Sequence, residues 1–284
     1  MRKEYIKVSI LILIFFLFYS FFGFYNLTEF GKINNSQDFN FHFNTIQNKD
    51  FSNYPPLYHF VLSLIPLTAF QFYLINLILI CVIIPLLLFK ITKKSLNVIG
   101  YFCLTSLPHI LIFGATFPHA LVLVFFLIYL IEKRLFPLLI ILATLTHKSG
   151  LMLFIGITGI EVLLSLWDYK KIKFDSFFSV FYLLGERLDT FKNAITVLLN
   201  AVPLPLIYFS KKIIDNPLLL FLSITALITA ITTDIRAISI IQISLLLSFQ
   251  TTKKQEKLLI KLFAVYTIYY LINFGLTTIR IINA

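Results

Sequence analysis

The chain has 284 residues, of which 59% are apolar and only 13% charged, with a mean hydropathy of +0.91. A water-soluble fold carries roughly a quarter charged residues, so water is excluded as the main solvent, and no polar stretch is long enough to form a soluble domain. The net charge of +11 would suggest nucleic acid in a soluble protein, but the placement of the basic residues supplies another cause.

Stretches of about 20 apolar residues cross a bilayer. Taken in chain order, the pattern predicts spans over 6–25, 71–89, 96–113, 117–132, 135–147, 150–167, 194–210, 217–232, 236–250 and 258–276, with a shorter segment at 174–185. The expected fold is therefore an all-α integral membrane domain of about 10–11 transmembrane helices. Lys and Arg collect in cytoplasmic loops. With the N-terminus inside, the turns carrying Arg2, Lys3 and Lys7, Lys90, Lys93 and Lys94, Lys133 and Arg134, Lys170, Lys171 and Lys173, Lys211 and Lys212, and Lys253, Lys254, Lys257 and Lys261 are cytoplasmic. These are 17 of the 24 basic residues. Residues 57–70 are apolar, but counting them as a span would reverse this bias. They are read instead as a juxtamembrane helix on the outer interface, led in by Pro55-Pro56, which suits an extended approach and a helix start. Cys81 and Cys103 sit in apolar runs and read as small buried hydrophobes.

The longest polar stretch is the first outer loop, Asn26 to Tyr54. Long loops in compact proteins are uncommon and often functional. Asp38 and His42 are four residues apart and share a face if the segment is helical; a solvated loop with an ordinary Asp is the alternative. Thr146-His147-Lys148-Ser149-Gly150 forms an outer turn, where a wet turn with a snorkelling Lys148 is the plainer reading. Thr233-Asp234-Ile235-Arg236 forms another. The Arg236 fork suits a phosphate, and an internal Asp234–Arg236 pair competes with that role. His119 opens the fourth span, Glu161 lies in the sixth, and His109 reads as packing. Asp38, His42, His119, His147, Lys148 and Arg236 come from four separate connections, yet all fall on the predicted outer face. A carboxylate base with cations for a phosphate fits glycosyl transfer from a lipid-phosphate sugar.

The run Asp38-Phe39-Asn40-Phe41-His42, followed by Tyr54-Pro55-Pro56-Leu57-Tyr58-His59, resembles the first outer loop of GT-C superfamily glycosyltransferases, which use polyprenyl-phosphate-linked sugars. The likeness covers roughly residues 1–165, leaving 166–284 as variable helices of one polytopic domain. The resemblance implies an inverting hexosyl transfer on the non-cytoplasmic side of the cell membrane, to an acceptor hydroxyl on a lipid, glycan or protein. Asp38 and His42 would be catalytic; Arg236, Lys148 and His147 would hold the donor phosphate; Tyr54, His59 and His119 would bind substrate. Many members carry Asp-Glu where this chain has Asp38-Phe39, and a second acidic motif where it has Phe117-Pro118-His119. No cofactor or metal ligand is therefore assigned, and a divalent metal is left open. A polysaccharide polymerase and a lipid-linked-sugar transporter or flippase remain as alternatives. Membrane lipid is an expected partner, and nucleic acid is not.

Overall fold

The computed structural model describes residues 2–28, 37–51, 55–105, 117–147, 150, 238–249 and 255–268, together with a few positions between 107 and 108 and between 210 and 227. Every regular element among the described residues is helical. The chain divides into two compact units, residues 1–150 with 251–284, and residues 151–250.

The first unit opens with α1, Arg2–Thr28, about 40 Å long at the usual rise. It is apolar on all sides. Val8, Ile12 and Tyr19 are buried, while Ile6, Ile10, Leu13, Ile14, Leu17 and Phe21 on the other face are each more than half exposed. Next come α2, Gln37–Asn48, α3, Pro56–Ser63, and α4, Ala69–Thr92. The stretch Lys3–Phe21 and helix α4 are each long and apolar enough to cross a membrane.

The sequence led to a helix over 57–70, but α3 stops at Ser63 and Ala69 already belongs to α4. Pro66 is the cause, because a proline disfavours helix at the residue before it and cannot donate into one. Thr68 then starts α4 with a capping box: its hydroxyl accepts from the Gln71 backbone N–H (3.2 Å), and the Gln71 side chain accepts from the Thr68 backbone N–H (2.9 Å).

Halfway along, α4 widens into a π turn at Leu79–Ile83, with the Ile84 N–H bonded to the Leu79 carbonyl. In that five-residue register the next donor would be residue 85, and Pro85 has no N–H. The carbonyl it would have reached, that of Ile80, instead accepts the Tyr101 hydroxyl at 2.9 Å. α4 ends with Lys93 at a positive φ of 57°, the left-handed terminator of many helices.

Helix α5, Ser95–Leu104, follows. Its N-cap, Lys94, has no acceptor to offer, and the Glu4 carboxylate of α1 takes that role by accepting from the Ser95 N–H at 3.3 Å. Tyr5 lies edge-on to Phe89 (4.9 Å), Phe15 stacks on Phe102 (4.2 Å), and the Tyr73 hydroxyl donates to the Tyr19 carbonyl (3.1 Å). Thus α1 runs antiparallel to α4 and parallel to α5, with the 93–95 turn beside the start of α1. The span read over 96–113 is broken after Leu104. Thr105 is extended (φ −104°, ψ 148°), and its hydroxyl donates to the Tyr101 carbonyl at 2.6 Å. Cys81 and Cys103 are both free and buried.

Helices α6, Phe117–Ile131, and α7, Phe136–Thr146, form a hairpin around a short turn at Lys133–Leu135. Pro137 in the first turn of α7 suits that position. Residues 255–268 add a further helix that buries Leu259 and Phe263 and exposes Leu258, Val265 and Ile268.

In the second unit, α8, Ile238–Leu247, is apolar with polar insertions. Gln242 and Ser244 are buried, and the Ser210 hydroxyl donates to the Leu245 carbonyl at 2.8 Å. Most of the segments read as spans over 150–167, 174–185, 194–210 and 217–232 lie outside the described residues.

Tyr101→Phe removes the hydroxyl and leaves the buried Ile80 carbonyl without it. The expected loss is about 1–3 kcal/mol of stability, read by chemical denaturation of wild type and variant in the same detergent. An unchanged midpoint would show that another group serves this carbonyl.

Candidate functional site

The first outer loop carries α2, whose residues repeat Phe39, His42 and Ile46 on one buried face, while Asn44, Gln47 and Asn48 stay exposed. Phe39 and Phe43 pack on Phe72 of α4 at 5.3 and 5.8 Å. Gln47 donates from Nε2 to the Leu67 carbonyl at 2.8 Å. Lys49 then closes the helix with a φ of 54°.

Helix α3 buries Tyr58, His59 and Leu62. The Tyr58 hydroxyl donates to Asn76 Oδ1 at 2.6 Å, and Asn76 Nδ2 donates to the Phe72 carbonyl at 2.7 Å. This two-bond latch fixes α3 on α4. On the neighbouring side, His59 Nε2 lies 2.8 Å from His42 Nδ1, with the rings stacked at 5.0 Å. Both histidines are buried. Burial lowers the His59 pKa from 6.5 to about 4, against a smaller opposing pull from the nearby Pro55 backbone.

A second pair lies at the open end of the α6–α7 hairpin. His119 and His147 are both buried, with ring centroids 5.8 Å apart and nearly perpendicular. His147 ends α7 in an extended conformation, its N–H bonded to the Ala143 carbonyl at 3.1 Å. Gly150 donates back to the His147 carbonyl at 2.8 Å. It lies so close to the Ala143 carbonyl that a Cβ has no room there, so glycine is required for this turn. Since α3 packs on α7, the elements bearing the two histidine pairs are neighbours.

The structure thus joins His42 with His59, and His119 with His147. It gives His59 a contact role toward His42 that the sequence did not suggest. Asp38 lies in α2 one helical turn before His42, and its side chain falls outside the described residues. Tyr54, Lys148 and Arg236 fall outside them entirely, as do His109, Glu161 and Asp234. The Tyr58–Asn76 latch was not anticipated. Its signal was Asn76 itself, an amide within the apolar run of α4, where polar groups are costly unless paired. Among the described residues no three His, Cys, Asp or Glu side chains converge to hold a metal ion. No family profile, curated protein or solved structure matches the chain.

The lowered His59 pKa has a definite sign in stability. Between pH 6.5 and about 4 the unfolded chain binds a proton that folded His59 resists. Stability is therefore intact above pH 6.5 and falls as pH drops through that window. His59→Gln should flatten this fall, measured by denaturation in detergent at points across the window. An equal slope in both proteins would assign the pH dependence to other groups.

Proposed function

We propose that the chain is a multi-pass membrane glycosyltransferase. It moves a sugar from a polyprenyl-phosphate donor to an acceptor hydroxyl on the non-cytoplasmic side of the cell membrane, with its N-terminus cytoplasmic. The observation that carries this reading is the 2.8 Å contact between His42 and His59. It brings together the two halves of the outer-loop motif, Asp38–His42 and Tyr54–His59, which lie apart in the sequence. Further support comes from the exposed apolar stripe of α1, which suits lipid tails rather than water. The meeting of Glu4 with Ser95 also fits a topology that keeps both basic clusters on one side.

In this mechanism Asp38 is the general base, assisted by His42 on the same helix. The acceptor oxygen loses its proton as it attacks the anomeric carbon, and the bond from that carbon to the phosphate oxygen breaks. The lipid phosphate leaves with added negative charge, a role that the sequence reading gives to Arg236, Lys148 and His147. Tyr54, His59 and His119 take the substrate-binding role in this reading.

Asp38→Asn should lower transfer roughly 10²–10⁴-fold while leaving donor binding intact, because the amide keeps the shape and cannot take the proton. Arg236→Ala should weaken binding and turnover together, and Arg236→Lys should restore only part, since an ammonium cannot reproduce the bidentate fork. The assay is sugar transfer from a labelled polyprenyl-phosphate donor, with binding measured separately. Full activity in Asp38→Asn would remove the assigned base. Movement of the intact donor across vesicles without transfer would favour the transporter.

A further inference from the structure

We propose that the end of the first unit where α1 begins and α4 stops is a binding site for an anionic phospholipid, whose phosphate is shared by lysines from both helices. The site rests on the membrane placement proposed above, in which this end faces the cytoplasm.

The sequence divides these lysines between two clusters, Lys3 with Lys7 and Lys90 with Lys93 and Lys94. The structure draws the clusters together through one side chain. The Glu4 carboxylate accepts from the Lys7 ammonium at 2.8 Å with one oxygen. Its other oxygen accepts at 3.3 Å from the N–H of Ser95, 91 residues away. Tyr5, the next residue, meets Phe89 edge-on at 4.9 Å. Five lysines therefore gather at an end that has a single carboxylate, since α1, α4 and α5 contain no acidic residue besides Glu4. Glu4 is already engaged twice. Lys3, Lys90, Lys93 and Lys94 are exposed and make no ion pair among the described residues. Like charges collected at one end repel, and an anion seated among them offsets that repulsion.

Lys93 adds an independent sign. Its φ of 57° is a left-handed conformation that glycine adopts freely and a lysine does not. Helix α4 thus ends on a strained cation where a glycine would be relaxed.

A lipid fits this end better than a free phosphate, because apolar surface continues from the lysines along both helices. Ile6 and Ile10 are exposed on α1, and Leu86 is exposed on α4 one turn before Lys90. Tyr5, half exposed, supplies an aromatic ring of the kind that settles at headgroup depth. An ammonium meets a phosphate as a compact charge with three donors, so lysines of both helices can share one headgroup. Each lysine beside a cytoplasmic leaflet gives about a fivefold preference for anionic lipid. The bound headgroup would clamp the same two helices that Glu4 joins.

The test places the full chain in nanodiscs of phosphatidylcholine, with or without a minor share of phosphatidylglycerol. It reads the thermal midpoint, together with the lipid retained in native mass spectrometry. Wild type should gain stability from phosphatidylglycerol and retain it in preference, and added salt should weaken both effects. The triple variant Lys3→Gln, Lys90→Gln, Lys94→Gln should lose the gain. Lys93→Gly should reduce the gain by itself, yet be no less stable than wild type in phosphatidylcholine, because it relaxes the backbone. Lys133→Gln with Arg134→Gln, which removes two charges from the α6–α7 turn, should keep the gain. An equal loss in that control would assign the effect to diffuse surface charge and overturn the site. Inorganic phosphate that reproduced the gain in phosphatidylcholine would overturn the lipid assignment in favour of a free anion. A wild type embedded in the bilayer but indifferent to phosphatidylglycerol would overturn the site alone. A chain released from vesicles by alkaline carbonate would overturn the membrane reading along with it.

Discussion

Pro66 sets the constraint on which the first unit depends. It ends α3 after eight residues, about 12 Å of helix, against the roughly 30 Å of a hydrocarbon core. A helix this short cannot cross, so the chain must approach and leave it at the same end of the unit. From there α4 runs the length of the unit and delivers Lys90, Lys93 and Lys94 beside the start of α1. The contacts of Glu4 with Ser95 and of Tyr5 with Phe89 record that arrival.

With an apolar environment assumed, each polar group inside the unit must find a partner within it. The fold meets much of this demand with a small set of bonds made over long sequence distances. Tyr101 serves the carbonyl that Pro85 cannot, Tyr58 and Asn76 serve each other, and the Glu4 carboxylate caps a helix begun 91 residues later. The histidine pair belongs to the same economy. His42 and His59 satisfy a ring nitrogen each, and burial keeps His59 neutral at ordinary pH. These bonds tie α2 and α3 to α4, so the loop that bears the candidate chemistry is held on a rigid scaffold.

Local features were legible in the sequence. Apolar runs marked α1, α4, α6 and α7, the Pro55-Pro56 pair marked the start of α3, and the four-residue spacing of Asp38 and His42 is realised on a helix. What escaped was tertiary. Hydropathy over 57–70 does not register the backbone donor missing at Pro66, and so does not show the break that ends α3. The same blindness carried the third span past Thr105. The pairings of His42 with His59 and of Tyr58 with Asn76 join residues 17 and 18 apart, and no local periodicity encodes them. The grouping of Lys148 and Arg236 with the histidines remains a proposal built on sequence position.

The central claim is that the loop helix and the 93–95 turn lie on opposite sides of a membrane. Single cysteines at Asn44, exposed on α2, and at Lys94, exposed beside α5, test it directly in a chain with Cys81 and Cys103 replaced by alanine. An impermeant thiol reagent applied to intact cells should label Asn44→Cys at once and Lys94→Cys only after permeabilisation. Labelling of both from outside, or of Lys94→Cys alone, would contradict the account.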